Sequence, residues 1–459
     1  MGRCFPAFPL LLLCLASVIL VAIAQNYLPT DKILLDCGAT SDVTDTDGQK
    51  WTADKGSKFL ASSVNSSIAP AATQDPAVPQ VPFMTARVFR SSFTYSFPLA
   101  AGRKFVRLYF YPASYGGLNA SDALFSVTAA SYTLLKNFSV AQTTEALNYA
   151  FIVKEYSINV DGGTLNITFS PSSNSLKAYA FVNGIEIVSM PDIYGSTDGT
   201  LMIVGNTSPF TIDNSTALEN VYRLNVGGND ISPSGDTESA DPNMTIESPV
   251  PPYIAPLDVY STARSMGPSA KINVNYNLTW IFSVDSGFSY LVRLHFCEVA
   301  SNITKINQRV FSIFLNNQTA EDQADVVAWA NQHNGVPVHK DYVVLVSGGS
   351  PQQDLWLALH PNTDSVLKSM FYDAILNGVE IFKISSPDGN LAGPNPIPAP
   401  KQEVIDPSLV RPSSGSGHSK NQKAIIAGGV GGGVILALVI GCCVIAASRR
   451  HRQGKEASK

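Results

Sequence analysis

Cysteine is almost absent from the part of this chain that could use it. Of six cysteines, Cys4 and Cys14 lie in an apolar N-terminal stretch and Cys442 and Cys443 in an apolar C-terminal one, so only Cys37 and Cys297 remain between them. Two thiols exclude the disulfide framework of a small secreted domain. Both sit in apolar, strand-like runs and read as buried free thiols, with a bridge between the two as the alternative. Long amphipathic helical stretches are missing as well, which excludes a helical bundle. Histidine is scarce, and His333 and His339 lack metal-ligand spacing. Asp45-Thr46-Asp47-Gly48 fails as a calcium loop, because the first ligand position falls on Val43 and the last holds Asp54 instead of Glu. No Gly-x-Ser-x-Gly elbow occurs, and the glycines from Gly428 to Gly433 never satisfy Gly-x-Gly-x-x-Gly. The sequence thus offers no catalytic set, no metal site and no cofactor site.

A basic excess is lacking too. The whole chain carries −5; Arg3 contributes one positive charge and the tail beyond Ala447 four, which leaves −10 on Gln25 to Lys423. An acidic surface favours basic partners and gives nucleic acid binding no support.

What the sequence does contain is a repeat. Val106-Arg107-Leu108-Tyr109-Phe110-Tyr111 returns as Val292-Arg293-Leu294-His295-Phe296-Cys297, a shift of 186. Leu35-Asp36-Cys37-Gly38 matches Leu224-Asn225-Val226-Gly227, and Asn183-Gly184-Ile185-Glu186-Ile187 matches Asn377-Gly378-Val379-Glu380-Ile381. Within each copy the hydrophobic period is 2, as in Val106, Leu108 and Phe110, with turn residues between short runs. The expectation is an all-β chain of two tandem β-sandwich, jelly-roll-like modules followed by a single transmembrane helix.

The boundaries expected are a signal peptide over residues 1–24, module 1 over 26–200, a linker over 201–216, and module 2 over 217–385. A Pro/Ser/Gly-rich stalk over 386–423, a transmembrane helix over 424–447 and a basic cytoplasmic tail over 448–459 follow. The span has no charged residue and is followed by Arg449, Arg450, Arg452 and Lys455. This predicts a single-pass type I plasma-membrane protein with an extracellular N-terminal part. Ten Asn-x-Ser/Thr triplets lie outside the span, at Asn65, Asn119, Asn137, Asn166, Asn206, Asn214, Asn243, Asn277, Asn302 and Asn317, and their density predicts glycosylation. Gly429, Gly433, Ala437 and Gly441 recur every four residues. They are a candidate helix-contact face, for association with other receptors, or ordinary span composition.

Ile33-Leu34-Leu35-Asp36-Cys37-Gly38, then Gly48, Trp51, Asp54 and Lys58-Phe59, resembles the opening of plant malectin-like receptor kinases. Val292 to Glu298 and Asn377 to Ile381 resemble the second module of the FERONIA, THESEUS and ANXUR type. The resemblance implies recognition of small basic secreted peptides of the RALF class, a GPI-anchored co-receptor, and a role in cell-wall sensing. It also implies a Ser/Thr kinase domain, whose Gly-rich loop, strand lysine and catalytic-loop Asp are not found after Arg452. The chain therefore reads as a binding protein rather than an enzyme, or as part of a receptor kinase.

A cell-wall carbohydrate reading is the other alternative. Tyr109 and Tyr111 share a strand face and could stack on sugar rings or cover a second sheet. Arg87, Arg90, Arg103, Lys104 and Arg107 could hold demethylated pectin or be solvated strand faces.

Overall fold

Strand alternation sets the layers. A computed structural model of the chain describes residues 27–60, 66–194, 201–206, 208–228, 250–363 and 369–398. Phe93–Leu99 buries Phe93, Tyr95, Phe97 and Leu99 while Thr94 and Ser96 face outward. With Gly163–Pro171, Leu124–Ala129 and Tyr132–Ser139 it forms a four-stranded outer sheet. Leu278–Asp285, Gln352–Pro361, Phe311–Leu315 and Gln318–Ala324 form a second outer sheet, built the same way from the second half of the chain.

Both outer sheets stack on one central sheet. Its order is Val43–Thr44, Lys50–Ala53, Lys32–Asp36, Gly184–Ser189, Gly102–Phe110, Ile152–Val160, Leu218–Asn225, Gly378–Ile384, Ser289–Phe296 and Val338–Leu345. The last four strands repeat the order of the four before them. The halves meet where Ile152–Val160 pairs antiparallel with Leu218–Asn225, Glu155 facing Asn220 and Ser157 facing Leu218. That seam corrects the expectation of two tandem modules. An edge strand with open main-chain groups gains hydrogen bonds by pairing, and here each half closes the other's edge. The described residues accordingly lie in one compact unit that ends at Ala399.

A separate apolar cluster explains why the central strands of the second half are buried on both faces. Met190, Ile193, Tyr194, Leu201 and Ile212 pack on Leu218, Leu291, Val343, Phe382 and Ile384. The segment between the halves thus covers the sheet's back, and Gly378–Ile384 is buried at every position.

The expected membrane helix and the type I plasma-membrane placement built on it are also corrected. Among the described residues no helix is long and apolar enough to cross a membrane. Residues 424–447, with Gly429, Gly433, Ala437 and Gly441, lie outside the described residues.

Candidate functional site

Most of the residues singled out as a ligand surface are engaged with partners inside the chain. Arg87 is buried, its Nε 2.5 Å from Asp54 Oδ2. Arg103 donates to the carbonyls of Asp213 and Thr216, tying the segment between the halves to the sheet. Lys104 is buried beside Ser189 at 2.9 Å and Asp31 at 3.1 Å. Tyr109 donates to Glu186, and Tyr111, buried, donates to the carbonyl of Thr73. Arg107 bridges Glu155 at 2.5 Å and Glu186 at 3.1 Å. Of the seven, Arg90 alone is exposed. A charged residue on a strand looks the same in sequence whether it faces water or a carboxylate on the next strand.

Those carboxylates form a row across the back of the sheet. Glu186, Arg107, Glu155, Arg223 and Glu380 alternate in sign over five strands, and Arg223 joins Glu155 of the first half to Glu380 of the second at 2.9 and 2.8 Å. Burial pushes the Glu155 carboxyl up, but Arg223 and Arg107 outweigh it and bring it down to about 2. Its three carboxylates outnumber its two guanidinium groups, and His295 Nε2 lies 3.2 Å from Glu380 at the far end. The row staples the seam.

An open cleft lies on the other side of the seam, with a cavity of about 480 Å³. The short helix Val140–Leu147 forms one wall. Ser139 caps its start, accepting from Gln142 N at 3.3 Å, and Asn148 ends it in the left-handed conformation at φ 55°. Tyr149 and Phe151 follow it into the cleft, facing Tyr222 and Val284 of the second half. Tyr149 is 60 % exposed. The floor is a buried ion cluster: Lys383 Nζ lies 2.6 Å from Glu219 and 2.8 Å from Asp285, and Lys154 reaches Glu219 from across the seam at 2.7 Å. Burial raises Glu219, but Lys154 and Lys383 prevail and its pKa is lowered. The rim is Gly393–Pro396, from a segment that runs back from the second half onto the first. It is held by Leu391 N to Thr133 O at 2.9 Å and by Ser139 N to Asn395 Oδ1 at 2.9 Å. Such a slot suits apolar side chains of an extended segment, with polar groups at its floor to fix position.

Sequence reasoning did not find this cleft, because its rim lies in residues read as the start of a stalk. Lys383, a second charge beside Glu380 in a short strand of mostly apolar residues, was the available signal. Among the described residues no group of His, Cys, Asp or Glu could hold a metal ion. Asp45 instead closes a turn, accepting from Asp47 N, Gln49 N and Trp51 Nε1. Cys37 and Cys297 are both free and buried. Of the glycosylation candidates, Asn119, Asn166, Asn206, Asn214, Asn277, Asn302 and Asn317 are exposed and Asn137 is half-buried, while Asn65 and Asn243 lie outside the described residues.

Comparison with known proteins places this architecture. The malectin-like domain matches residues 35–384 as a single stretch. The chain is 64 % identical to the receptor-like protein kinase FERONIA of Arabidopsis thaliana, over 97 % of its own length and 52 % of that protein's. It is 39 % identical to ANXUR1 of the same plant, over 97 % and 53 %. It thus spans about half the length of these curated relatives. Among solved structures, the plant receptor-like kinase FER is 64 % identical with a TM-score of 0.74, covering 80 % of this chain and 100 % of that one. The complex of the plant peptide RALF23 with FER and LLG2 contains a chain 65 % identical with a TM-score of 0.73, covering 81 % and 100 %. The ANXUR1 extracellular domain from Arabidopsis thaliana is 41 % identical at 0.73, covering 80 % and 100 %.

Proposed function

The chain belongs to the malectin-like family, and from that premise we propose that it is an extracellular recognition domain for a basic secreted peptide of the RALF class. A small co-receptor of the LLG2 type completes the complex. The observation that carries this reading is the crystal structure of RALF23 with FER and LLG2, whose FER chain is 65 % identical to this one over 81 % of its length. The acidic balance of Gln25 to Lys423 is the electrostatic complement a basic peptide needs. The fold supplies recognition surfaces, and chemistry on the ligand forms no part of this reading.

The test is a titration of the purified chain with RALF23, with and without LLG2, and in parallel with demethylated pectin. Binding of the peptide, tightened by LLG2, is the expected result. Peptide silence with saturable pectin binding would replace this reading with the carbohydrate one. If charge steers the encounter, raising salt slows association more than it speeds dissociation. Tyr149→Ala, a change at an exposed wall residue, asks whether the seam cleft takes part. The expected outcome is faster dissociation with an unchanged melting temperature.

A further inference from the structure

The outer faces of the two outer sheets differ in chemistry. In the first half that face is a ladder of hydroxyls and amides, with Thr94 on Thr168 at 2.8 Å and Ser96 on Asn166 at 2.8 Å. In the second half Ile281 and Trp356, directly paired across two strands, point outward and are 51 % and 41 % exposed. Phe314 pairs with Ala358 on the same face. An apolar strip of this kind on a polar scaffold calls for a cover.

Its borders indicate the cover. Asn277 and Asn317, together with Phe314, Ala358 and His360, line a shallow hollow of about 300 Å³. Both open acceptor triplets, Asn277-Leu278-Thr279 and Asn317-Gln318-Thr319, and both asparagines and both threonines are exposed. Asn316 and Asn317 form a hairpin tip at φ 49° and 61°. The tip is fixed beside Trp356, since Asn316 N donates to Trp356 O at 2.9 Å and Trp356 N to Asn316 Oδ1 at 2.9 Å. Asn316 thus holds the tip that carries Asn317 against the strip, through its main chain and its side chain.

We propose that Asn277 and Asn317 carry N-linked oligosaccharides whose first sugars fold over Phe314 and Trp356, so that the chain's own glycans close this face. The donor is a lipid diphosphate-linked oligosaccharide: asparagine Nδ2 forms the bond to sugar C1 and loses one proton, and the C1–O bond breaks with its electron pair leaving on the lipid diphosphate. A sugar ring presents C–H groups on one face, which pack on an aromatic ring while the hydroxyls stay in water. The proposal rests on the extracellular reading above, because a chain outside the secretory route never meets the donor.

The full chain, secreted from a eukaryotic host, is mapped for glycan occupancy by peptide mass. Tryptophan quenching by acrylamide is then compared before and after enzymatic removal of the glycans. Occupancy at both asparagines is expected, with a rise in quenching on removal that Trp356→Phe abolishes and that Asn277→Gln with Asn317→Gln reproduces without enzyme. Empty Asn277 and Asn317 beside an occupied Asn119 would overturn the proposal, as would quenching unchanged by removal. Dimerisation of the glycosylated chain that Trp356→Glu disrupts would assign the strip to a second copy instead. A chain with no occupied acceptor anywhere would fail the extracellular reading itself, and this proposal with it.

Discussion

Asn183 and Asn377 occupy the same place in the two halves and make the same kind of bonds. Asn183 Oδ1 accepts from Tyr111 N at 2.7 Å, and its Nδ2 donates to the carbonyls of Phe83 and Thr85 and to Tyr115 Oη. Asn377 Oδ1 accepts from Cys297 N at 2.8 Å, and its Nδ2 donates to the carbonyls of Tyr260 and Thr262. Gly38 and Gly227, at φ 88° and 86°, let each half's first strand pass over the carbonyl of Ala86 or Ala263 where a Cβ would collide. The charges at equivalent places differ. Arg107 keeps 27 % of its side chain exposed between two carboxylates, while Arg293 is fully buried on Asp341 and the carbonyl of Ile193. The segment between the halves covers the back of the second half there. The repeat thus keeps what satisfies the main chain and lets charge follow local cover.

The largest effect should come from that shared asparagine. Asn183→Ala and Asn377→Ala each leave several buried main-chain groups unpaired, for a cost on the order of 3 kcal/mol. Urea unfolding should show comparable losses in both variants and one transition, because a continuous sheet couples the halves. Two separate transitions would break the comparison and restore independent modules.

The next effect sharpens it. Leu391 follows the second half in sequence but is fully buried in the first half's core. Leu391→Ala should cost about 2–4 kcal/mol. Hydrogen exchange should rise in Tyr132–Ser139, which the segment pairs with, before it rises in Ser289–Phe296. Equal loosening of both halves would show that the segment acts through the seam rather than as a clamp on the first half.

Much of this was legible from particular residues. The alternation of Val106, Leu108 and Phe110 gave β-strands with a buried face, and the returning Asn-Gly motif gave equivalent positions. The fusion of the halves was not legible. Pairing of Tyr156 with Glu219 is a choice of partner between two strand edges, and alternation encodes which side chains face inward but not which edge meets which. The burial of Lys104 and Arg103 was not legible either, because their partners, Asp31 and the carbonyls of Asp213 and Thr216, are remote in sequence. The cleft was hidden for the same reason, since its walls come from both halves and its rim from a third segment.

The smallest effect tests the repeat at one atom. Asp36 and Asn225 are equivalent, and each accepts from an equivalent hydroxyl, Thr85 at 2.8 Å and Thr262 at 3.0 Å. Asp36 also lies near Asp54, whose carboxylate is paired with Arg87 and accepts from Gly38 N and Tyr95 Oη. Burial first, then Asp54, raises the Asp36 carboxyl to about 7 against the Thr85 bond that lowers it. The folded chain therefore keeps this proton up to about pH 7, whereas the unfolded chain releases it near 4. Between those values the folded state binds more protons, so stability is greatest in acid and falls as pH rises. From pH 6 to pH 8 the remaining loss should be roughly 1 kcal/mol, and Asp36→Asn should remove it. The mirror change, Asn225→Asp, should install a similar slope in the second half if its surroundings bury a carboxylate as deeply. Melting temperatures of the three proteins at both pH values decide the matter. A wild-type slope that survives Asp36→Asn would place the titrating group elsewhere. An Asn225→Asp chain without a new slope would show that the repeated backbone does not carry its electrostatic environment with it.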